Sequence, residues 1–337
     1  MEIQTLTDEQ LAGQRLMVGF EGTVFNEDLK FLIGTLKVGG VILFSINIEA
    51  PEQIKALCRS IQDYARSCGQ PPLFIAVDQE GGRVARLKDP FTIFPGNSHM
   101  KSDKDAVEFA KITAAELGQV GFNMNMAPVM DVSPEGLDSI MEGRTFGANP
   151  TRVASLGVKV INYLQMNNIM AVAKHFPGIG RTTLDSHLDM PVLHDDLSYL
   201  EQFDLIPFEA GIQSGVSGIM LSHIFYSRLD PQWPASLSPT IANTLLRQQM
   251  GFDGLVLTDD LDMGAIIKHY DIESAIHQIL EADIDLALIC HKGPNIEIGF
   301  DQVLKELTGS PDLKARGIGS VERIMKAKDK YIGVNGF

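Results

Sequence analysis

The side chains best suited to chemistry fall in four short motifs. Residues 174–191 read KHFPGIGRTTLDSHLDMP, with Asp185 and His187 two apart in an Asp-Ser-His step. In a loop, two such side chains can meet. A carboxylate beside an imidazole orients the ring and favours its protonated form, giving a proton donor usable near neutral pH. The alternative is a loop capped by Asp185 and Ser186, with His187 incidental. Residues 255–266 read LVLTDDLDMGAI, where Asp259 directly follows an apolar run. A carboxylate so placed serves as nucleophile, base or metal ligand. Its neighbours Asp260 and Asp262 are expected to cap or start the next helix.

In VDQEGGRVARL (77–87), Gly81 and Gly82 allow a sharp turn, and Asp78, Glu80, Arg83 and Arg86 cluster on the loop. Carboxylate and guanidinium together suit a ligand rich in hydroxyls, such as a sugar. For Glu80 and Arg83 the expectation is plainer, an ion pair that closes the loop. In MEGRTFGANP (141–150), Arg144 sits in a Gly-rich loop. His175, Asp185, His187, Asp189 and His194 are metal-ligand types. They match no His-x-His, His-Glu-x-x-His or Cys-containing spacing, so no metal is expected. His99, His269, His277 and His291 have no partner pattern either, and read as surface or structurally satisfied residues.

What must position these groups is a set of short apolar runs at 14–20, 39–45, 73–78, 122–132, 169–175, 217–223, 254–260 and 285–291. Most are continuously apolar, as strands buried on both faces should be. Helical spacing fills 51–69, 103–121 and 150–168; Ile54, Leu57, Cys58, Ile61 and Tyr64 share one helix face. Met124, Met126 and Met130 read as packing. Alternating strands and helices, with eight strands, predict a single-domain (β/α)8 barrel of TIM type. A doubly wound sheet is the alternative, but no Gly-x-Gly-x-x-Gly turn follows the first strand. Several runs end in polar residues: Asp78, Asp131, Lys174-His175, Ser222-His223 and Asp259-Asp260. In a barrel those ends open on one face, so residues distant in sequence converge there.

Composition narrows the partners. Of 337 residues 45% are hydrophobic and 21% charged, which excludes a disordered chain. With 28 basic against 43 acidic residues the net charge is −15, so no nucleic-acid partner is expected. Three cysteines, no basic-then-apolar leader and no run near ~18 apolar residues point to a cytoplasmic protein without membrane contact. Nothing suggests an obligate protein partner.

On these motifs, in this order, the sequence resembles glycoside hydrolase family 3, and within it the bacterial β-N-acetylglucosaminidases of the NagZ type. The resemblance spans about residues 10 to 290. It implies a TIM-type barrel and retaining hydrolysis through a covalent glycosyl-enzyme. Asp259 matches the family's nucleophile, His187 its acid/base and Asp185 the supporting carboxylate. Asp78, Arg86, Arg144, Lys174 and His175 match residues that hold the terminal N-acetylglucosamine, and His223 matches a histidine after the sixth strand. The implied substrate is a small molecule, a GlcNAc-containing oligosaccharide or muropeptide, with cell-wall recycling as the role and no cofactor. One position departs: the family's Pro-Gly-His-Gly reads Pro-Gly-Ile-Gly here, with Ile179 for histidine. That puts closure of the loop and preference beyond the sugar in question. A phosphorylase, which uses phosphate in place of water, remains an alternative. A β-glucosidase, whose acid/base often comes from a second domain, and a metal-dependent barrel hydrolase are the others.

Overall fold

The computed structural model describes residues 5–333. Eight parallel strands close into a barrel: β1 (Leu16–Val18), β2 (Gly40–Leu43), β3 (Phe74–Val77), β4 (Met124–Asn125), β5 (Met170–Phe176), β6 (Gly218–Leu221), β7 (Leu255–Asp260) and β8 (Leu286–Ile289). Each pairs with its neighbours in sequence, and β1 closes on β8 through Met17 opposite Leu288. Seven strands fall inside the runs expected from the sequence and β5 passes the end of its run by one residue, which confirms the (β/α)8 barrel.

Strand alternation explains why the runs are continuously apolar. Met17, Ile42, Phe74, Ala76, Met124, Met170, Val172, Met220, Leu257 and Leu286 form one buried cluster inside the barrel. Their neighbours, among them Leu16, Val18, Val41, Ile75, Val77, Ala171 and Val256, belong to a second cluster shared with the helices. Both faces are therefore dry, and an alternating pattern has no reason to exist. Met126 packs inside the barrel, whereas Met130 packs outside. The run at 122–132 is shorter as a strand than its apolar length suggests, with a further bridge only at Val129.

The expected helices form at Pro51–Ser67, Asp103–Val120 and Pro150–Met166. Two have proline at the helix start, where the missing N–H costs nothing. The last helix, Pro311–Tyr331, sends Ile324 and Tyr331 into the barrel-interior cluster. No helix among the described residues is long and apolar enough to cross a membrane.

Candidate active site

The polar strand ends converge on one mouth, and a buried charge network lines part of it. Asp78, just past β3, receives Lys174 Nζ at 2.7 Å and Arg86 Nη2 at 3.1 Å. Glu80, 1% exposed, meets the same Lys174 at 2.8 Å and takes a two-pronged bond from Arg144, Nη2 at 2.7 Å and Nε at 3.0 Å. Burial works against ionising either carboxyl. Lys174 and Arg86 overcome it for Asp78, and Lys174 and Arg144 for Glu80, so both stay below the usual carboxylate range. Burial likewise opposes the Lys174 and Arg144 cations, and the same carboxylates more than restore them.

Local turns deliver these groups. Gly81 and Gly82 take positive φ of 86° and 63°, so residues 79–81 double back against Val84–Ala85. Gln79 Oε1 accepts the N–H groups of Arg86 and Leu87 and thereby aims the Arg86 side chain. The Arg86 guanidinium lies over the Phe44 ring, 5.4 Å from its centre, and Phe44 stacks on His291.

His175 is placed by Asp131. The buried carboxylate accepts ring Nδ1–H at 2.7 Å and the backbone N–H of Ile179 at 2.8 Å. A carboxylate partner fixes the proton on Nδ1 and leaves Nε2 for other use. Glu80 and Asp131 are the two central groups that the sequence places near the site without giving them a role in it. Asp131 carried a signal, since it closes an apolar run as Asp78 and Asp259 do. Glu80 was expected to pair with Arg83. Instead Arg83 donates to the carbonyl of Ile140, and Glu80 turns inward to Arg144 and Lys174. The parallel pairing of β3 with β4 brings residue 144 to residue 80.

The loop after β5 carries the Asp185–His187 pair. Asp185 Oδ1 accepts the His187 backbone N–H at 2.9 Å and ring Nδ1–H at 2.8 Å. Burial raises the Asp185 carboxyl and these bonds outweigh it, so its pKa lies below the ordinary value. The pair is open to water, with side chains 46% and 69% exposed. Its loop is anchored at the base. Arg181 bridges Asp195 at 2.5 Å and Asp204 at 2.7 Å and covers the Tyr199 ring, while Ser139 Oγ donates to Gly180. Ile179 is buried among apolar neighbours.

Asp259 is the penultimate residue of β7, half-buried, and its Oδ1 accepts the Asp260 N–H at 2.8 Å. The chain beyond it holds the dyad loop: Gly264 N–H donates to His187 O at 3.3 Å and Ala265 N–H to Ser186 O at 3.0 Å. His223 lies beside this segment, bonded to the carbonyl of Asp260, one residue past Asp259. His223 itself is 1% exposed with both ring nitrogens engaged, Nε2–H to the Asp260 carbonyl at 2.8 Å and Nδ1 with Ser236 Oγ at 2.7 Å. Burial pushes its pKa down and keeps the ring neutral. The assignment of His223 to ligand contact is therefore corrected: it holds the backbone beside Asp259 and has no free nitrogen.

Asp260 and Asp262 do not cap a helix, another correction. Asp260 Oδ1 accepts Cys290 and Asp262 N–H groups, and Asp262 accepts His291 N–H and Asn295. With His291 they form a group whose ligand atoms lie within 4.8 Å. The carboxylates are already used in stapling the ends of β7 and β8 together. The other histidines expected to be satisfied have partners, His269 with Asp189, His277 with Glu306 and His194 with Ser227. Trp233 packs against Tyr270.

Known proteins of the same shape give this arrangement a context. The model of the glycosyl hydrolase family 3 N-terminal domain matches residues 6–326. Beta-hexosaminidase A of Pseudoalteromonas piscicida is 34% identical over 320 residues, covering 84% of this chain and 54% of that protein. A beta-hexosaminidase of Pseudomonas aeruginosa (strain PAO1) is 33% identical over 323 residues, 94% of this chain and 95% of that one. The structure of a glycoside hydrolase family 3 beta-N-acetylglucosaminidase from Paenibacillus superposes with TM-score 0.92 at 34% identity, over 97% of this chain and 63% of that chain. The chain thus spans about half the length of the Pseudoalteromonas relative.

Proposed function

The chain belongs to glycosyl hydrolase family 3, and we propose that it is a glycoside hydrolase, a retaining exo-β-N-acetylglucosaminidase acting on terminal β-linked GlcNAc of muropeptide-type fragments. We place it in the cytoplasm, with the barrel as the whole catalytic unit and the proton donor in cis. The terminal sugar is held by the Asp78, Arg86, Arg144, Lys174 and His175 side. Asp259 attacks the anomeric carbon while His187 Nε2 gives its proton to the departing glycosidic oxygen, so the C1–O bond breaks as the C1–Oδ ester forms. In the second half, His187 takes a proton from water, water attacks C1 and Asp259 leaves as carboxylate. Asp185 holds the ring through Nδ1 and stabilises its cationic form.

The observation that carries this reading is the backbone tie between the dyad loop and the segment after Asp259, through Gly264 and Ala265. It supports a donor and a nucleophile facing one pocket. An Asp259→Ala chain is expected to lose turnover of nitrophenyl β-GlcNAc and to gain no covalent mass with a fluorinated GlcNAc donor. Full turnover by that variant refutes the nucleophile. The imidazole donor also favours a second reading. It repels an incoming anion less than a carboxylate does, so phosphate in place of water yields GlcNAc-1-phosphate. Assay with and without phosphate separates the two.

A further inference from the structure

We propose that Gly264 is a positioning residue for the proton donor: the bare backbone at this position is the seat on which the loop carrying His187 rests. The inference rests on the roles given above to Asp259 and His187. A Cβ at Gly264 would lie 2.5 Å from the His187 carbonyl oxygen, 2.8 Å from that of Leu188 and 3.0 Å from the Leu188 carbonyl carbon. All three are backbone atoms, so no side-chain rotation relieves the contact. Gly264 is not among the glycines with positive φ. Its glycine is therefore required for space and not for backbone conformation, and alanine suits its own dihedrals.

The seat is built from both partners. The short helix Gly264–Ile267 begins with N–H groups that have no partner within the helix. Gly264 N–H finds the His187 carbonyl and Ala265 N–H the Ser186 carbonyl. One turn on, His269 Nε2 meets Asp189 Oδ1 at 2.7 Å. Within the loop, Leu188 and Asp189 donate their N–H groups to the Asp185 carbonyl, and Asp185 Oδ1 holds both the backbone and ring of His187. Residues 185–189 form one compact turn, so a push on the 187–188 backbone moves the imidazole with it.

The opposite wall has less freedom. The Asp260 carbonyl is held by His223 and Asp260 Oδ1 by two N–H groups, one from Cys290 at the end of β8. Gly264, Ala265 and Ile266 are buried. When a methyl group is added at Gly264, the water-exposed loop yields and the packed segment stays. The expected result is a donor displaced by about an ångström from a nucleophile left in place, and displacements of that size cost up to ~100-fold in rate.

The test is Gly264→Ala assayed on dinitrophenyl β-GlcNAc, whose leaving group needs no proton, and on phenyl β-GlcNAc, which does. The expected outcome is a melting temperature within a few degrees of the unaltered chain, a near-normal rate on the activated substrate and a ~10–100-fold loss on phenyl β-GlcNAc. In a His187→Ala background, Gly264→Ala is expected to cost nothing further, because the group it positions is gone. An unchanged leaving-group dependence overturns the proposal. So does an equal loss on both substrates, or a chain that does not fold, since the glycine then serves the barrel and not the donor. If Asp259→Ala retains turnover or His187→Ala keeps its leaving-group dependence, the mechanism has failed. If both behave as expected and Gly264→Ala does not, only this inference has.

Discussion

At Glu80 a carboxylate 1% exposed meets two cations, whereas at Asp185 a carboxylate 46% exposed meets one imidazole. The two belong to loops that follow strands of one barrel, and they are held by different physics. The Glu80 side is fixed by mutual neutralisation in a dry site, where removing any charge strands the others. The Asp185 side is fixed by backbone contacts to a neighbouring segment, and its charges are largely screened by water. Under the proposed roles, groups that only hold a ligand can be welded to the fold. A donor that must release and recover a proton in each cycle works from a place where its surroundings can adjust. It follows that substitutions on the first side should damage stability and activity together, and those on the second activity alone.

The strongest test of that division is His187→Ala. The expected loss is ~10²–10⁴-fold in kcat/KM on substrates with poor leaving groups, and much less on activated ones. Thermal unfolding is expected to be unchanged, because the ring is 69% exposed. A large fall in melting temperature would erase the contrast between the sides.

Glu80→Ala probes the other side. It leaves Arg144 and Lys174 buried with one fewer counter-charge, and a broken buried pair costs about 3–5 kcal/mol. Urea unfolding at neutral pH reads this directly. A cost below about 1 kcal/mol would place Glu80 with the surface pairs and remove the reason for calling the network welded.

How much of this was legible in the sequence follows from what each feature depends on. The strands and the three long helices were, because apolar runs and helical spacing are local. So were Asp78, Lys174, His175 and Asp259, because a polar residue closing an apolar run betrays a strand end. The partners of those residues were not. Glu80 looked like a mate for Arg83, three positions away, and its bond to Arg144 exists only because the β3 and β4 loops meet above the barrel. Asp260 and Asp262 looked like helix caps, since nothing local says that the end of β8 lies beside them. His223 looked like a ligand contact, and its ring is consumed by Ser236 and the Asp260 carbonyl, 13 and 37 positions away.

His223 shares a feature with each group, so it refines the comparison. It is buried like the network but acts through a backbone carbonyl like the loop seat. His223→Ala strands a buried hydroxyl and carbonyl, at about 1–3 kcal/mol. The expected kinetic result is a lower kcat with little change in KM, since Asp259 shifts while the residues proposed to hold the sugar stay. His223→Gln, whose amide can both donate and accept, should recover part of it. A raised KM with unchanged kcat would return His223 to ligand contact.

The smallest effect is expected from Asp185 in the acid titration of stability, and its sign can be worked out. Asp78 and Glu80 have folded pKa values below their unfolded ones, because Lys174, Arg86 and Arg144 outweigh burial. Groups of that kind contribute stability that is present above the unfolded values, near ~4, and lost as pH falls through the lower folded ones. Lys174 is raised, so its share is complete below ~10 and lost only as pH rises through its higher folded value. The network therefore holds from ~5 to ~10 and fails in acid. Asp185 is lowered too, and carries the same sign. Its carboxylate is half in water, however, and exposed pairs contribute only about 0–1 kcal/mol. Unfolding free energies measured from pH 7 down to pH 3 should then show a flattened acid limb for Glu80→Gln. For Asp185→Asn the curve should nearly overlay that of the unaltered chain. If Asp185→Asn flattens the limb as much as Glu80→Gln, the dyad is as much a part of the fold as the network, and the two groups are not held by different means.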